Sequence, residues 1–297
     1  MIKKQKITDI LKTGKILMSD GAWGTYLHQK GLKAGECPDE WSLTHYSEVR
    51  DIAKSYIDAG SDMVQTNSFG ANRIKLMQYG LEKMVEKINE AAAQASREAA
   101  GDDKYVIASV GPTGKILMTG DITETEMYDA FCEQVVSLEK GGADAICIET
   151  MSDTDEAELA IKAAKRYTSL EVITTFTFEK TIQDEYRTMM GYTPSEAVRS
   201  ALHSGTDIVG ANCGNGMVRM FNIVKEIRDD FPKAYILVHA NAGLPTFTNG
   251  VSSFPETPEI MAACLPALIG TGVNIIGGCC GTTPEHIRAM KEKIERL

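Results

Sequence analysis

Short, nearly continuous apolar runs recur along the chain. They are KILMSDGA (15–22), SDMVQTN (61–67), YVIASVGP (105–112) and ADAICIET (143–150), then LEVITTFTF (170–178), TDIVGANC (206–213), AYILVHANAG (234–243) and VNIIGGCC (273–280). Most lack a clean apolar–polar alternation, so each predicts a strand covered on both faces, as in a parallel sheet. Charged segments with helical spacing lie between them. EKMVEKINEAAAQASREAA (82–100) sets Met84, Ile88, Ala91 and Ala95 on one stripe. TETEMYDAFCEQVVSLEKGG (123–142) opens on a Thr cap and ends at a glycine pair. TDEAELAIKAAKRY (154–167) and MVRMFNIVKEIRDDF (217–231) have the same spacing. TPEIMAACLPALIGTG (257–272) and TPEHIRAMKEKIERL (283–297) both place Pro at the first helical position, followed by Glu. The lead-ins DAGSDMV, KGGADAI, HSGTDIV and IGTGVNI share one chemistry, a glycine ending a helix and a small polar residue opening the next strand. Their unequal periods exclude a solenoid. Eight strands alternating with eight helices in 297 residues predict an α/β fold, a (β/α)8 TIM barrel in one domain over 1–297. An open doubly wound sheet is the runner-up.

Composition narrows the partners. The 43% hydrophobic and 24% charged content is that of a soluble globular protein. A net charge of -10 argues against nucleic acid or an anionic membrane as partner, since both demand basic surface. The start, MIKKQKITDILKTGKILM, has no uninterrupted apolar core and no cleavage site, so no signal peptide is predicted. Residues 260–284 carry no charge, but Pro266, Gly270, Gly272, Asn274 and the 277–281 run break them up, predicting a helix and then a strand, not a membrane span. These features predict a cytoplasmic protein.

Unusual polar residues cluster where the strands end. Asp20 closes the first, Thr66 and Asn67 the second, Glu149 and Thr150 the fourth; Asn212 and Cys213 close the sixth, His239 and Asn241 the seventh, Cys279 and Cys280 the eighth. In a barrel these ends open onto one face, where active sites sit. The chain has seven cysteines, an odd number, which in a reducing compartment argues against a disulfide framework. A bridge between the adjacent Cys279 and Cys280 would strain the backbone. Cys213, Cys279 and Cys280 come from strands six and eight, close enough to share one metal, and three thiolates with an open fourth position suit zinc. Buried structural cysteine and a nucleophilic thiol remain open at this point.

The motifs DGAWGT (20–25), VQTNSFGAN (64–72), GPTG (111–114), GGADAICIET (141–150), GANC (210–213), NAGLP (241–245) and GGCCGTTPEHI (277–287) occur in this order. With them the chain resembles the homocysteine S-methyltransferase family over essentially its whole length. The resemblance implies Zn2+ held by Cys213, Cys279 and Cys280, which act in catalysis through the metal. It implies that homocysteine enters the open position, loses its thiol proton and attacks an activated methyl group, giving methionine. It also implies Asp20 and Glu149 beside the substrate amino group, the Gly21 and Ala22 N–H groups on its carboxylate, and Asn241 as a weak ligand to the metal. Thr66 and Asn67 organise the pocket floor. His239 reads as structural; Cys37, Cys132, Cys147 and Cys264 as packing or surface; the methionines of RTMMGYTP (187–194) as core. The methyl donor is a small compound or a methyl-corrinoid on a separate protein, because these 297 residues leave no room for folate- or cobalamin-binding modules. Trp23, Gln65 and RTMMG depart from the family pattern. They motivate a second reading, a methyltransferase of a corrinoid-dependent demethylation system with another methylated substrate or thiol. A non-catalytic zinc or thiol-binding barrel subunit is a third, and its mark would be a closed fourth ligand position.

Overall fold

The computed structural model describes residues 4–248 and 251–297. The first three residues of the leading segment read above lie outside the described residues. Eight parallel strands make one sheet: β1 (Leu17–Met18), β2 (Met63–Gln65), β3 (Tyr105–Val110), β4 (Ala145–Met151), β5 (Glu171–Phe176), β6 (Ile208–Gly216), β7 (Ile236–Asn241) and β8 (Ile275–Gly278). Their order in space, β1-β8-β7-β6-β5-β4-β3-β2, is the chain order wrapped back on itself, a (β/α)8 barrel. The open-sheet alternative is thereby excluded.

Each strand is buried along nearly its whole length because both of its faces are covered. One residue from every strand (Leu17, Met63, Ile107, Cys147, Ile173, Ile208, Leu237 and Ile275) meets in the interior, and Ile7 and Leu11 of the helix Ile7–Leu11 plug the amino end. Full burial of each large aliphatic among them contributes about 1.5–3 kcal/mol. Outside the sheet, one long helix follows each strand among the described residues, from Tyr46–Asp58 after β1 to Pro284–Ile294 after β8. Thr123 and Glu126 form a capping box that fixes the start of the helix Glu124–Lys140. In the helix Val85–Ala100 the buried stripe is Val85, Ile88, Ala92 and Ala95, with Ala91 only half-buried. Met84 stands at the N-cap instead of inside the helix, and Ile88 and Ala95 are the members of the expected stripe that are buried. The uncharged stretch divides as expected, into the helix Pro258–Gly270 and β8, and no described helix is long and apolar enough to cross a membrane.

The barrel closes differently at one seam. Among the described residues β1 and β2 share no ladder pairing. Instead the Asp62 N–H donates to Met18 O at 2.7 Å, and the Met18 N–H donates to Asp62 Oδ2 at 3.0 Å. One turn higher, the Gln65 N–H donates to Asp20 Oδ2 at 2.7 Å. Side-chain carboxylates stand in for the missing ladder.

Candidate metal centre

Two strands abandon regular pairing where the chemistry-bearing residues lie. Between the pairs Ile148–Thr174 and Met151–Phe176, β4 runs three residues while β5 runs two. Between Asn212–His239 and Gly216–Asn241, β6 runs four while β7 runs two. Such bulges re-aim side chains that strict alternation would send to fixed faces. Here they carry Glu149 and Cys213. Cys213 has left-handed backbone (φ 59°) and Gly214 follows at φ 66°; a Cβ on Gly214 would stand 2.9 Å from Phe178 O, so that turn admits only glycine.

The adjacent pair is anchored by its backbone. The Cys279 N–H donates to Ala240 O at 2.7 Å, and Cys280 O accepts from the Ala242 N–H at 2.9 Å. Gly277 has no room for a side chain, since a Cβ would lie 2.8 Å from Asp20 O and 2.7 Å from the His239 ring. The outcome is a cluster: the sulfurs of Cys213, Cys279 and Cys280 all lie within 4.8 Å of one another, and Cys213 Sγ and Cys280 Sγ are 4.0 Å apart. Among the described residues no other His, Cys, Asp or Glu joins such a group. Zn–S bonds of about 2.3 Å in a tetrahedral site set sulfurs about 3.8 Å apart, so this donor set fits a thiolate-preferring ion with little contraction. Contacts from Cys279 and Cys280 hold the Cys213 thiol well below its ordinary value, while the same contacts push both partners above theirs. Packed this closely, the three thiols oppose one another's ionisation, which a bound cation would offset.

Near the sulfurs are two carboxylates without a basic partner. Asp20 is fully buried; its Oδ2 accepts the Gln65 N–H and, at 2.9 Å, the Trp23 indole N–H. Burial pushes its carboxyl up to about 7 against those two donors, and the nearby Glu149 adds to the shift. Glu149 accepts from the Ser109 hydroxyl and is also raised, by burial first and by Cys213 as a lesser cause. Asp20, Glu149 and Cys213, far apart in sequence, are therefore neighbours. The Asn241 side chain lies against the Cys213 sulfur, and its Oδ1 is buried without a hydrogen-bond partner. His239 is buried too, lowered by burial to about 4 and so neutral, with Nε2 unpartnered.

Other predicted residues are placed further from open space. The Ala22 N–H is already given to Thr282 Oγ1 at 3.0 Å, which leaves Gly21 N–H as the amide of that pair without a protein partner among the described residues. The Thr66 hydroxyl accepts the Ser109 N–H at 3.0 Å and pairs with Ser68 Oγ at 2.6 Å. Asn67 Nδ2 donates to Pro38 O at 2.8 Å, tying β2 to the segment before Trp41. Cys147 and Cys37 are buried among apolar side chains, and Cys132 and Cys264 are half-buried. Met189 and Met190 are not core. The two-stranded ribbon Glu179–Lys180 with Tyr186–Arg187 carries this loop outward, leaving Met189 76% exposed and Met190 half-buried.

A family model described as homocysteine S-methyltransferase matches residues 17–294. The chain belongs to that family. It is 28% identical over 306 residues to the methionine synthase of Mycobacterium leprae, a match covering 97% of this chain and 25% of that protein. It therefore spans about a quarter of the length of that curated relative. The metallated form of the homocysteine methyltransferase MmuM from Escherichia coli superposes with a TM-score of 0.78 at 22% identity, covering 96% of this chain and 98% of that one. Its apo form gives 0.73 at 21% identity, covering the same shares. These structures share the barrel.

Within this homocysteine S-methyltransferase fold, several residues around the sulfurs have roles that the sequence did not assign. Trp23 and Ser109 fix the carboxylates, and Thr282 supports the Cys279 carbonyl through its hydroxyl at 2.7 Å. Asn212 and Thr150 join β6 to β4 across the barrel mouth. The available signal was position: each lies in or within a few residues of a motif, and Thr150 and Asn212 stand among the strand-end polar residues.

Proposed function

We propose that the chain methylates the thiol of homocysteine to give methionine, with Zn2+ held by Cys213, Cys279 and Cys280. The observation that carries this is the convergence of three thiols and two uncompensated buried carboxylates on one barrel face. Bound Zn2+ supplies the positive charge that keeps an entering thiol deprotonated near neutral pH. Asp20 and Glu149 accept hydrogen bonds from the substrate ammonium group, whose charge offsets the burial that raises both carboxyls. The Gly21 N–H receives the substrate carboxylate, and the Ala22 N–H joins it by exchanging its bond to Thr282. Asn241, whose side chain lies against the Cys213 sulfur, is the weak fourth ligand that substrate sulfur displaces. Thr66 and Asn67 hold the floor by bonding their neighbours. Fixed at its amino and carboxylate ends, the substrate aims its sulfur at the methyl carbon; the S–C bond forms as the methyl–donor bond breaks, and the donor keeps the electron pair.

Beyond the carboxyl ends of the strands, Met118, Ile182, Met189 and Leu244 on connecting segments and Val218 at the start of the helix Met217–Asp230 are exposed. The methyl donor in this reading is either a small methyl compound or a methyl-corrinoid carried by a separate protein. The test gives purified zinc-loaded protein homocysteine with S-methylmethionine, betaine or methylcobalamin and measures methionine. Formation from one donor is expected. No methionine from any of them, together with no homocysteine-dependent change at the metal, overturns the proposal.

A further inference from the structure

Among the described residues three non-glycine residues have left-handed backbone: Thr150 (φ 60°), Cys213 (φ 59°) and Asp184 (φ 68°). Asp184 lies in the turn of the exposed ribbon, but Thr150 and Cys213 sit in the two bulges at the barrel mouth. A β-branched residue at positive φ is an outlier that its surroundings must hold in place. One side chain does the holding. Asn212 Oδ1 accepts the Thr150 N–H at 2.8 Å and the Thr175 hydroxyl at 2.7 Å, and Asn212 Nδ2 donates to Thr150 Oγ1 at 2.7 Å. A backbone N–H can only donate, so the orientation of this amide is fixed. Asn212 is 1% exposed, so these bonds form out of competition with water. The clasp crosses from β4 to β6 over β5, and β5 takes part through Thr175; beside it the Thr177 hydroxyl donates to Asn212 O at 2.9 Å.

Position gives the clasp its meaning. Asn212 immediately precedes Cys213, and Thr150 immediately follows Glu149. We propose that Asn212 and Thr150 are positioning residues whose paired bonds set the distance between the Cys213 thiol and the Glu149 carboxylate, so that the thiol-metal site and the amine site are built to one spacing. The inference rests on the proposed zinc and homocysteine reading. Neither residue needs to touch metal or substrate. Loosening the clasp weakens metal binding and substrate binding together, because the two sites lose their common reference.

The experiment uses Co2+ as a spectroscopic probe in the metal-stripped full chain, with Thr150→Gly, Thr150→Ser and Thr175→Val beside the unaltered protein. Glycine suits φ 60°, so Thr150→Gly relieves backbone strain, which offsets the loss of the partner of Asn212 Nδ2, and the melting temperature of the metal-free protein is expected to change little. Its Co2+ affinity should drop about tenfold or more, as for partners that orient ligands. Its thiolate-to-cobalt absorption should move, and several-fold more homocysteine should be needed to perturb it. Thr150→Ser should recover most of both. Thr175→Val, which removes one bond of the clasp, should shift both in the same direction by less, and it keeps the test open if Thr150→Gly does not fold. Unaltered Co2+ affinity and homocysteine response in a folded Thr150→Gly or Thr175→Val overturns the clasp alone. Failure of the unaltered protein to bind Co2+ overturns the three-thiol reading and the clasp with it. Co2+ binding without any response to homocysteine overturns the substrate reading, while the affinities still judge the clasp.

Discussion

The two ends of this barrel treat buried charge in opposite ways. At the amino end every strand-borne carboxylate described here is fully employed. Glu171 accepts from Ile7 N–H at 2.6 Å, Thr8 N–H at 3.1 Å and the Thr8 hydroxyl, capping the plug helix. Asp62 is ringed by Lys291 at 3.2 Å, Lys104 at 3.5 Å and Lys15 at 3.9 Å. Burial works against its charge, but the Met18 N–H and these ammonium groups prevail and hold its carboxyl below the usual range. At the carboxyl end Asp20 and Glu149 have no cation, and Gln65 Nε2, His239 Nε2 and Asn241 Oδ1 are buried without partners. Unpaired buried polar groups cost folding free energy. Leaving these groups unsatisfied at the carboxyl end places part of the folding cost where a ligand can remove it.

Three changes would break or sharpen this contrast. The largest effect is expected from Cys280→Ala, which removes a third of the thiol cluster. Zinc retained after gel filtration should fall below one equivalent and methionine formation by more than about 100-fold, beyond what loss of a merely orienting partner costs. Full zinc occupancy by elemental analysis would refute the three-thiolate site. Next comes pH. In the metal-free protein Asp20 keeps its proton up to about 7, whereas in the unfolded chain it loses it near pH 4. The folded state binds the extra proton between those values, so the stabilisation is present below about pH 4 and fades as pH rises toward 7. Asp62, lowered on folding, contributes the reverse: stability present above about pH 4 and lost in acid. Urea unfolding in steps from pH 4 to 8 should show a decline in the parent protein that is much reduced in Asp20→Asn. Parallel curves would mean that Asp20 is already compensated. The smallest effect separates function from stability. Glu149→Gln should raise the homocysteine KM about 10–100-fold, the value of a charged hydrogen bond, with the melting temperature unchanged or higher. Glu171→Gln should leave that KM alone and lower stability by about 1–3 kcal/mol. A KM change in Glu171→Gln, or a stability loss in Glu149→Gln, would dissolve the distinction.

The barrel was legible because covered parallel strands and capped helices are local patterns, and Thr123 with Glu126 or Pro284 with Glu285 announce their elements from residue type alone. Cys213, Cys279 and Cys280 were legible for a related reason: strand ends share a face, so topology alone brings them together. The aim of individual side chains was not. Glu149 and Cys213 owe theirs to extra residues in β4 and β6, and a bulge interrupts the very alternation from which direction is inferred. Partner exchange was equally hidden. That Ala22 spends its N–H on Thr282, across 260 positions of chain, follows only from three-dimensional closure. Met189 shows the converse, an apolar residue whose burial fails because its loop projects outward.

The seam between β1 and β2 has a consequence for how this scaffold can change. Asp20 closes it through Gln65 and, in the proposed role, also greets the substrate. One side chain is thus both a rivet of the frame and part of the lock. Re-cutting the lock for a thiol without an amino group cannot proceed by simply discarding Asp20, because the joint without a ladder would then rest on the Asp62–Met18 bonds alone among the backbone contacts described above. A new acceptor has to be accommodated around that rivet, or another rivet supplied first.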